Sequence, residues 1–81
     1  MAMKDMYRFL VIIEKGDHSY GAYSPDLPGC VAVGGTREEA EANMRGAMLM
    51  HLRGIIEDRE PIPTSQAIAE YMDISIPGSA A

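Results

Sequence analysis

The stretch "YSPDLPGCVAVGGTREEA", residues 23–40, predicts a stiff loop, a short strand and the start of a helix. Two prolines fix the backbone of the loop, and Gly29 lets the chain turn into the strand. "TREE" matches a capping box: the Thr36 hydroxyl accepts from the Glu39 amide, and the Glu39 carboxylate accepts from the Thr36 amide. We expect a helix from about Thr36 to Asp58, because the prolines of the following "REPIP" lack amide donors.

Three strands are predicted before the helix and one after it. "MYRFLVIIEK" at 6–15, "YGAY" at 20–23 and "CVAVG" at 30–34 are rich in β-branched and aromatic residues, and short turns make them antiparallel neighbours. The first is apolar on both faces after Arg8, which suggests a central strand. "EYMDISI" at 70–76 alternates like a half-buried or edge strand. A right-handed crossover would place it beside the first strand. We therefore predict an α+β fold, β-β-β-α-β, with one mixed four-stranded sheet in the order 3-2-1-4 covered by one long helix.

Length and charge restrict the possible functions. The chain has 81 residues, 12 acidic and 7 basic side chains and a formal net charge of −5. That length suits one domain, expected at 1–76, with a loose tail at 77–81. Because nucleic acid is densely anionic, we expect no direct nucleic acid binding, whereas an acidic chain suits a basic protein partner.

Cysteine content and hydropathy predict a cytoplasmic protein. Cys30 is the single cysteine, so an internal disulfide is excluded, as in proteins of a reducing compartment. The longest apolar run, "FLVII" at 9–13, is too short for a signal peptide or a membrane span. We expect no association with a membrane.

The predicted helix has two apolar surfaces. One stripe at helical spacing should cover the sheet. Its members are Ala40, Met44, Ala47, Met48, His51, Leu52 and Ile55. Leu49 and Ile56 point elsewhere, with Arg53 beside them. Since the second face of the sheet also needs cover, we expect a homodimer or homotetramer with Leu49, Arg53 and Ile56 in its interface.

The sequence offers little for catalysis. Cys30 lacks a neighbouring base, His18 lies in a turn, and His51 belongs to the apolar helix stripe. Asp26 and Asp73 lie outside the first strand, where a metal-dependent nuclease would need an acid. We therefore expect no catalytic residue, no metal ion and no cofactor.

The stiff loop is more consistent with recognition. A rigid loop presents side chains to a partner at low entropic cost. Tyr23, Asp26 and Leu27 are the predicted contacts for a protein partner.

Residues 20–63 resemble the HicB-type antitoxin domain. The shared pattern is an aromatic strand, P-D-L-P-G, a short apolar strand, G-x-T-x-E-E-A, a long helix and a closing E-P-I-P. The resemblance implies a partial ribonuclease H fold without metal ligands, which binds and masks HicA, a small basic ribonuclease toxin. Fuller members carry a C-terminal DNA-binding module, whereas about five residues follow the predicted fourth strand here. The resemblance is thus to a short form, in which binding to operator DNA is not expected.

Two functions remain open from the sequence. The first is a non-enzymatic antitoxin that blocks a HicA-like ribonuclease. The alternative is a stand-alone oligomeric HicB-like domain with another protein partner or a small-molecule ligand. An adjacent gene for a short basic protein would favour the first, and an enzyme is the least favoured reading.

Overall fold

A computed structural model describes residues 6–78, which form three strands and one long helix. The strands are β1 (Ile12–Lys15), β2 (Tyr20–Tyr23) and β3 (Val31–Gly34), and the helix is α1 (Arg37–Glu57). The helix packs against all three strands. The α+β class and the single long helix are confirmed. None of the helices within residues 6–78 is both long and apolar enough to cross a membrane.

The three strands form an antiparallel sheet in the order β1-β2-β3. In its central rows, Ile13 pairs with Ala22, which pairs with Ala32, while Ile12, Tyr23 and Val31 form the adjacent row. Neighbouring rows point to opposite faces because side chains alternate along a strand. The row that contains Ala22 packs towards the helix. The other row lies on the face that the helix leaves uncovered.

Helix α1 begins with a cap that differs slightly from the predicted one. The Thr36 side chain accepts a 3.0 Å hydrogen bond from the Glu39 amide, as expected. The Glu39 carboxylate instead accepts from the amide of Gly35, at 2.8 Å, one residue before the predicted donor. Both bonds satisfy amides that the helix leaves without partners, so the sequence pattern located the start of the helix correctly.

The helix ends through a reversal of the backbone at Arg59. This residue adopts a left-handed φ of 56°. The Arg59 amide donates to the Ile56 carbonyl and the Glu60 amide to the Ile55 carbonyl, each at 3.0 Å. These two bonds form a Schellman motif, so the helix stops before the prolines rather than because of them.

The core lies between the helix and the sheet and is small. Its buried apolar residues are Ala22, Leu27, Cys30, Ala40 and Met44. The predicted stripe of α1 is confirmed: Ala40 and Met44 are buried, and the five other members are partly buried. The registry of the helix on the sheet therefore follows directly from its apolar spacing.

The predicted fourth strand is not formed by this chain. The segment 70–76 belongs to no strand, and the sheet has three strands, so a mixed four-stranded sheet in the order 3-2-1-4 is not present in the part of the chain that the structure describes. We call residues 59–78 the arm; its side chains at 70–76 are all exposed. A strand needs a neighbouring strand for its hydrogen bonds, and none of the strands formed within residues 6–78 lies beside the arm. As a result β1, predicted to be central, is an edge strand.

Two smaller predictions concern the ends of the chain. Residues 77–78 form a turn. The predicted loose tail otherwise falls on 79–81, which lie outside the described residues, as do residues 1–5 of the predicted domain.

Candidate functional site

The Asp26 carboxylate holds three separate segments of the chain together. Its Oδ2 atom accepts hydrogen bonds from the backbone amide of Leu10, at 2.8 Å, and from the Ser65 hydroxyl, at 2.7 Å. Its Oδ1 atom accepts from the backbone amide of Gln66, at 3.4 Å. We call Leu10, Asp26, Ser65 and Gln66 the Asp26 clasp. The clasp joins the approach to β1, the β2–β3 loop and the start of the arm.

The loop sequence explains how Asp26 reaches this position. Ser24 is buried, and its hydroxyl accepts from the Asp26 amide at 3.2 Å. The Leu27 amide donates to the Ser24 carbonyl and the Cys30 amide to the Leu27 carbonyl, which folds the loop into consecutive turns. Gly29 has a φ of 84°, which a side chain would disfavour. The conformation of the P-D-L-P-G loop therefore orients the Asp26 side chain towards the arm and the Leu27 side chain into the core.

The clasp lowers the pKa of the Asp26 carboxyl below its usual value. The main cause is the hydrogen bond from the Leu10 amide, followed by the bond from the Ser65 hydroxyl, and partial burial opposes both. Each donor stabilises the ionised form more than the protonated one. The charged carboxylate is therefore the form that holds the arm.

We expect the clasp to make stability depend on pH in the acid range. Because the folded state lowers the pKa of Asp26, its stabilisation is complete above the pKa in the unfolded chain, about 4, and is lost as pH falls through the folded value. Asp26→Asn should therefore lose stability at neutral pH, and its difference from the wild type should shrink as the solution is acidified. Thermal unfolding followed at a series of pH values measures this.

The matched control for that series is Asp17→Asn, which makes the same exchange in the exposed β1–β2 turn. It corrects for the change in net charge. A wild type and an Asp26→Asn variant whose melting temperatures run parallel over the whole acid range would contradict the proposed role of the clasp.

The uncovered face of the sheet forms an apolar surface. We call Ile12, Tyr23, Val31 and Val33 the outer sheet face. Val31 and Val33 are 65% and 67% exposed, and Tyr23 is 39% exposed. Such exposed, neighbouring apolar side chains on a rigid sheet are typical of an interaction surface. The two valines were not among the predicted contacts, although alternation along "CVAVG" places them on the same face as Tyr23.

The three predicted contacts of the loop are separated by the structure. Tyr23 lies on the outer sheet face, and Asp26 is engaged in the clasp. Leu27 is 0% exposed and belongs to the core cluster with Ala22 and Met44. The loop therefore turns the apolar side chain of Leu27 inward, between its two prolines, and a contact of Leu27 with a partner stays a prediction. Tyr23 stays a predicted contact.

The predicted oligomer interface lies on the solvent side of α1. Leu49 is 50% exposed, Ile56 is 58% exposed, and Arg53 is exposed between them. The spacing of the helix predicted this orientation correctly. Their role in an interface stays a prediction.

An open apolar groove runs between the start of β1 and helix α1. Its volume is about 780 Å³. The floor and walls are mainly apolar, from Phe9, Val11, Ile13, Met44, Met48 and Leu52, with Leu49 also on its lining. We call this the β1 groove. A signal for this groove is present in the sequence, since residues 9–13 are apolar on both faces and β1 lies at the edge of the sheet.

The groups considered for catalysis lie on different elements. Cys30 is buried, and burial raises the pKa of its thiol, which disfavours the reactive thiolate. His18 lies in the exposed β1–β2 turn, His51 is half-buried on α1, and Asp73 is exposed on the arm. Among residues 6–78 no group of three or more His, Cys, Asp or Glu side chains is placed to hold a metal ion.

The comparison with known families agrees with this arrangement of motifs. A family model described as the HicB-like antitoxin of bacterial toxin–antitoxin systems matches residues 9–75, which include the sheet, the helix and most of the arm. The chain belongs to this HicB-like antitoxin family. The match begins just before Leu10 and extends beyond Gln66, so it contains every member of the Asp26 clasp.

The relatives of this HicB-like chain include two proteins that it matches over most of their length and one that it matches over about half. A UPF0150 protein of Synechocystis sp. is 32% identical over 74 residues, covering 90% of this chain and 94% of the relative. A UPF0150 protein of Thermoplasma acidophilum is 33% identical over 61 residues, covering 74% and 88%. A 14.9 kDa protein from the rep-hol intergenic region of Haemophilus phage HP1 is 38% identical over 63 residues, covering 78% of this chain. The HicB-like chain spans about half, 47%, of the length of that phage protein.

Proposed function

We propose that this HicB-like chain is a non-enzymatic antitoxin that binds and masks a small basic, mRNA-cleaving ribonuclease of the HicA type. The observation that carries the proposal is the family match over residues 9–75. A toxin of this kind must expose a basic surface to bind RNA. Covering that surface requires shape and charge in the antitoxin rather than catalytic groups.

Charge and surface chemistry of the chain support this role. The formal net charge of −5 favours encounter with a basic partner. The outer sheet face then supplies apolar area, and Tyr23 is the type of residue that often dominates binding energy at an interface. We propose that Tyr23, Val31 and Val33 contact the toxin, while Asp26 acts indirectly because it holds the loop beside them.

Assembly and location complete the proposal. The functional unit is a homodimer or homotetramer, in which the solvent side of α1 with Leu49, Arg53 and Ile56 is available for a second contact. The ribonuclease H-like sheet in the order 3-2-1-4 is completed only when residues 70–76 pair with a strand. The antitoxin acts in the cytoplasm, where mRNA is cleaved, and needs no cofactor.

Co-expression with the HicA-like protein of the same genome tests the proposal. We expect the chain to restore growth and to be recovered in complex with the toxin, with association that weakens as salt is added. Tyr23→Ala and Val33→Arg should reduce both protection and binding, since the first removes apolar contact and the second repels a basic partner. Growth and a pull-down from the same cells are the two readouts.

Met50→Arg is the matched control for Val33→Arg. Met50 is 74% exposed and lies on α1, so the same charge is added on the side away from the outer sheet face. It should leave protection unchanged. Equal loss of protection in Val33→Arg and Met50→Arg would contradict the proposed surface, and absence of binding by the wild type would contradict the antitoxin function itself.

A further inference from the structure

The arm exposes a row of apolar side chains. Met72, Ile74 and Ile76 alternate with polar residues and are 73%, 76% and 70% exposed. Alternation places all three on one side of an extended chain. Nothing among residues 6–78 covers this row, and an extended segment with one apolar side has the character of a strand that lacks its sheet.

The β1 groove offers a matching surface. β1 is an edge strand, so one of its sides has hydrogen-bonding groups that no other strand within residues 6–78 pairs with. The groove beside it is lined by apolar side chains such as Phe9, Val11 and Met48. A strand added to this edge would place alternate side chains into the groove while its backbone pairs with β1. The row on the arm has that spacing and that chemistry.

Charges around the two surfaces are also complementary. Arg8, Arg37 and Arg45 lie along the β1 groove, where Arg45 pairs with Glu41 at 3.5 Å. Residues 64–76 contain two acids, Glu70 and Asp73, and no lysine or arginine. An acidic apolar segment is therefore the expected occupant of this groove, and the arm is such a segment.

The conformation of the arm points to a groove on another copy of the chain. The arm is held at its base by the Asp26 clasp and then runs clear of its own domain, so that the chain measures 62 × 29 × 24 Å. The radius of gyration is 16.9 Å. A compact chain of this length would have about 12 Å. An arm projected from a fixed base can fill the groove of a second copy, whose arm returns to fill the first.

We propose that two copies of this chain form a dimer by exchanging arms, with residues 70–76 of each copy paired to β1 of the other and Met72, Ile74 and Ile76 seated in its β1 groove. Each sheet then gains its fourth strand from the other copy. The exchange is independent of the antitoxin role and would hold equally for a domain with another partner.

Light scattering on the purified wild type and two arm variants tests the exchange. The wild type should be a dimer that dissociates on dilution. Ile74→Asp should raise the dissociation constant at least about a hundredfold, because it places a carboxylate in an apolar groove. Ser75→Asp is the matched control: it adds the same charge to the other side of the arm and should leave the dimer intact. A monomeric wild type at all concentrations would overturn the proposal, since no second copy would then receive the arm.

Mixing a groove variant with an arm variant separates exchange from dimerisation through the helix surface. Leu49 lines the groove and is half-exposed, so Leu49→Asp should weaken the dimer without unfolding the domain. Mixing Leu49→Asp with Ile74→Asp should restore a dimer, because the intact arm of the first fits the intact groove of the second. Native mass spectrometry identifies this mixed dimer by its mass.

Ile56→Asp tests the competing model, in which the dimer forms through the solvent side of α1. Ile56 lies on α1 outside the groove, and its substitution should leave an exchanged dimer unchanged. A dimer that is lost in Ile56→Asp but kept in Ile74→Asp would overturn the exchange in favour of packing through the solvent side of the helix. Absence of a mixed dimer from variants that are separately folded, as judged by circular dichroism, would overturn it as well.

Discussion

Gly34→Ala is expected to lower the free energy of unfolding by about 3 kcal/mol, because the added methyl group has no space. A Cβ atom at Gly34 would lie 2.8 Å from the carbonyl carbon of Glu39 and 2.9 Å from Cα of Ala40, and closer still to the Ala40 amide. These are backbone atoms of the first helical turn, so no rotamer change relieves the clash. For a domain of this size the melting temperature should fall by more than about 10 °C.

Two other glycines provide controls, because alanine should leave stability unchanged at one and increase it at the other. At Gly35 the nearest atom to an added Cβ would be the Glu39 side-chain oxygen, 3.6 Å away, so Gly35→Ala should be tolerated. Gly46 lies within α1 with nothing within 4 Å, so Gly46→Ala should stabilise by about 1 kcal/mol through helix propensity. Thermal unfolding at one fixed protein concentration ranks the three. A Gly34→Ala variant as stable as Gly35→Ala would refute the close packing of β3 on the helix.

Leu27→Ala should destabilise the domain by about 3 kcal/mol, within the range measured for buried leucines. Leu27 is fully buried and contacts the small core that β2 shares with α1. Because that core contains few large side chains, a cavity here removes a large share of its apolar contacts. Denaturant unfolding measures the loss, and an unchanged slope with denaturant concentration would indicate that the same surface unfolds in both proteins.

Met50→Ala is the matched control, since it removes the same number of side-chain heavy atoms from a position that is 74% exposed. Its effect should be below about 0.5 kcal/mol. The pair also decides between two roles for Leu27. A contact with a partner would leave stability unchanged and weaken only binding, whereas a core residue must lower stability in the absence of any partner.

The sequence predicted the elements that depend on local chemistry. The cap at Thr36, the antiparallel order of three strands and the apolar stripe of α1 all follow from neighbouring residues or from fixed spacing, and all three are confirmed. The exposure of Leu49 and Ile56 follows from the same helical period. Local propensity and the global fold agree at these positions, so a short stretch of neighbouring residues was enough to predict each element.

The candidate site was predicted less completely. The loop motif drew attention to Asp26 and Leu27, but their roles depend on what surrounds them. Asp26 bonds to Leu10 and Ser65, which are 16 and 39 residues away in the sequence. No period or spacing relates such distant residues, so the sequence identified the loop as special without identifying its function as a clasp.

The sequence by itself determined that this protein has an acidic chain, a capped amphipathic helix, three strand-forming segments and a fourth segment with strand alternation. Tertiary structure decided that this fourth segment does not join the sheet formed within residues 6–78. Residues 70–76 have the alternating pattern of a strand. Such a pattern predicts which side chains are buried, but it does not predict which sheet edge the strand pairs with. The clasp at Asp26 fixes the base of the arm, and residues 70–76 then lie outside the lining of their own β1 groove. Pairing depends on which free edge lies within reach of that base, and only the arrangement of the whole chain determines this.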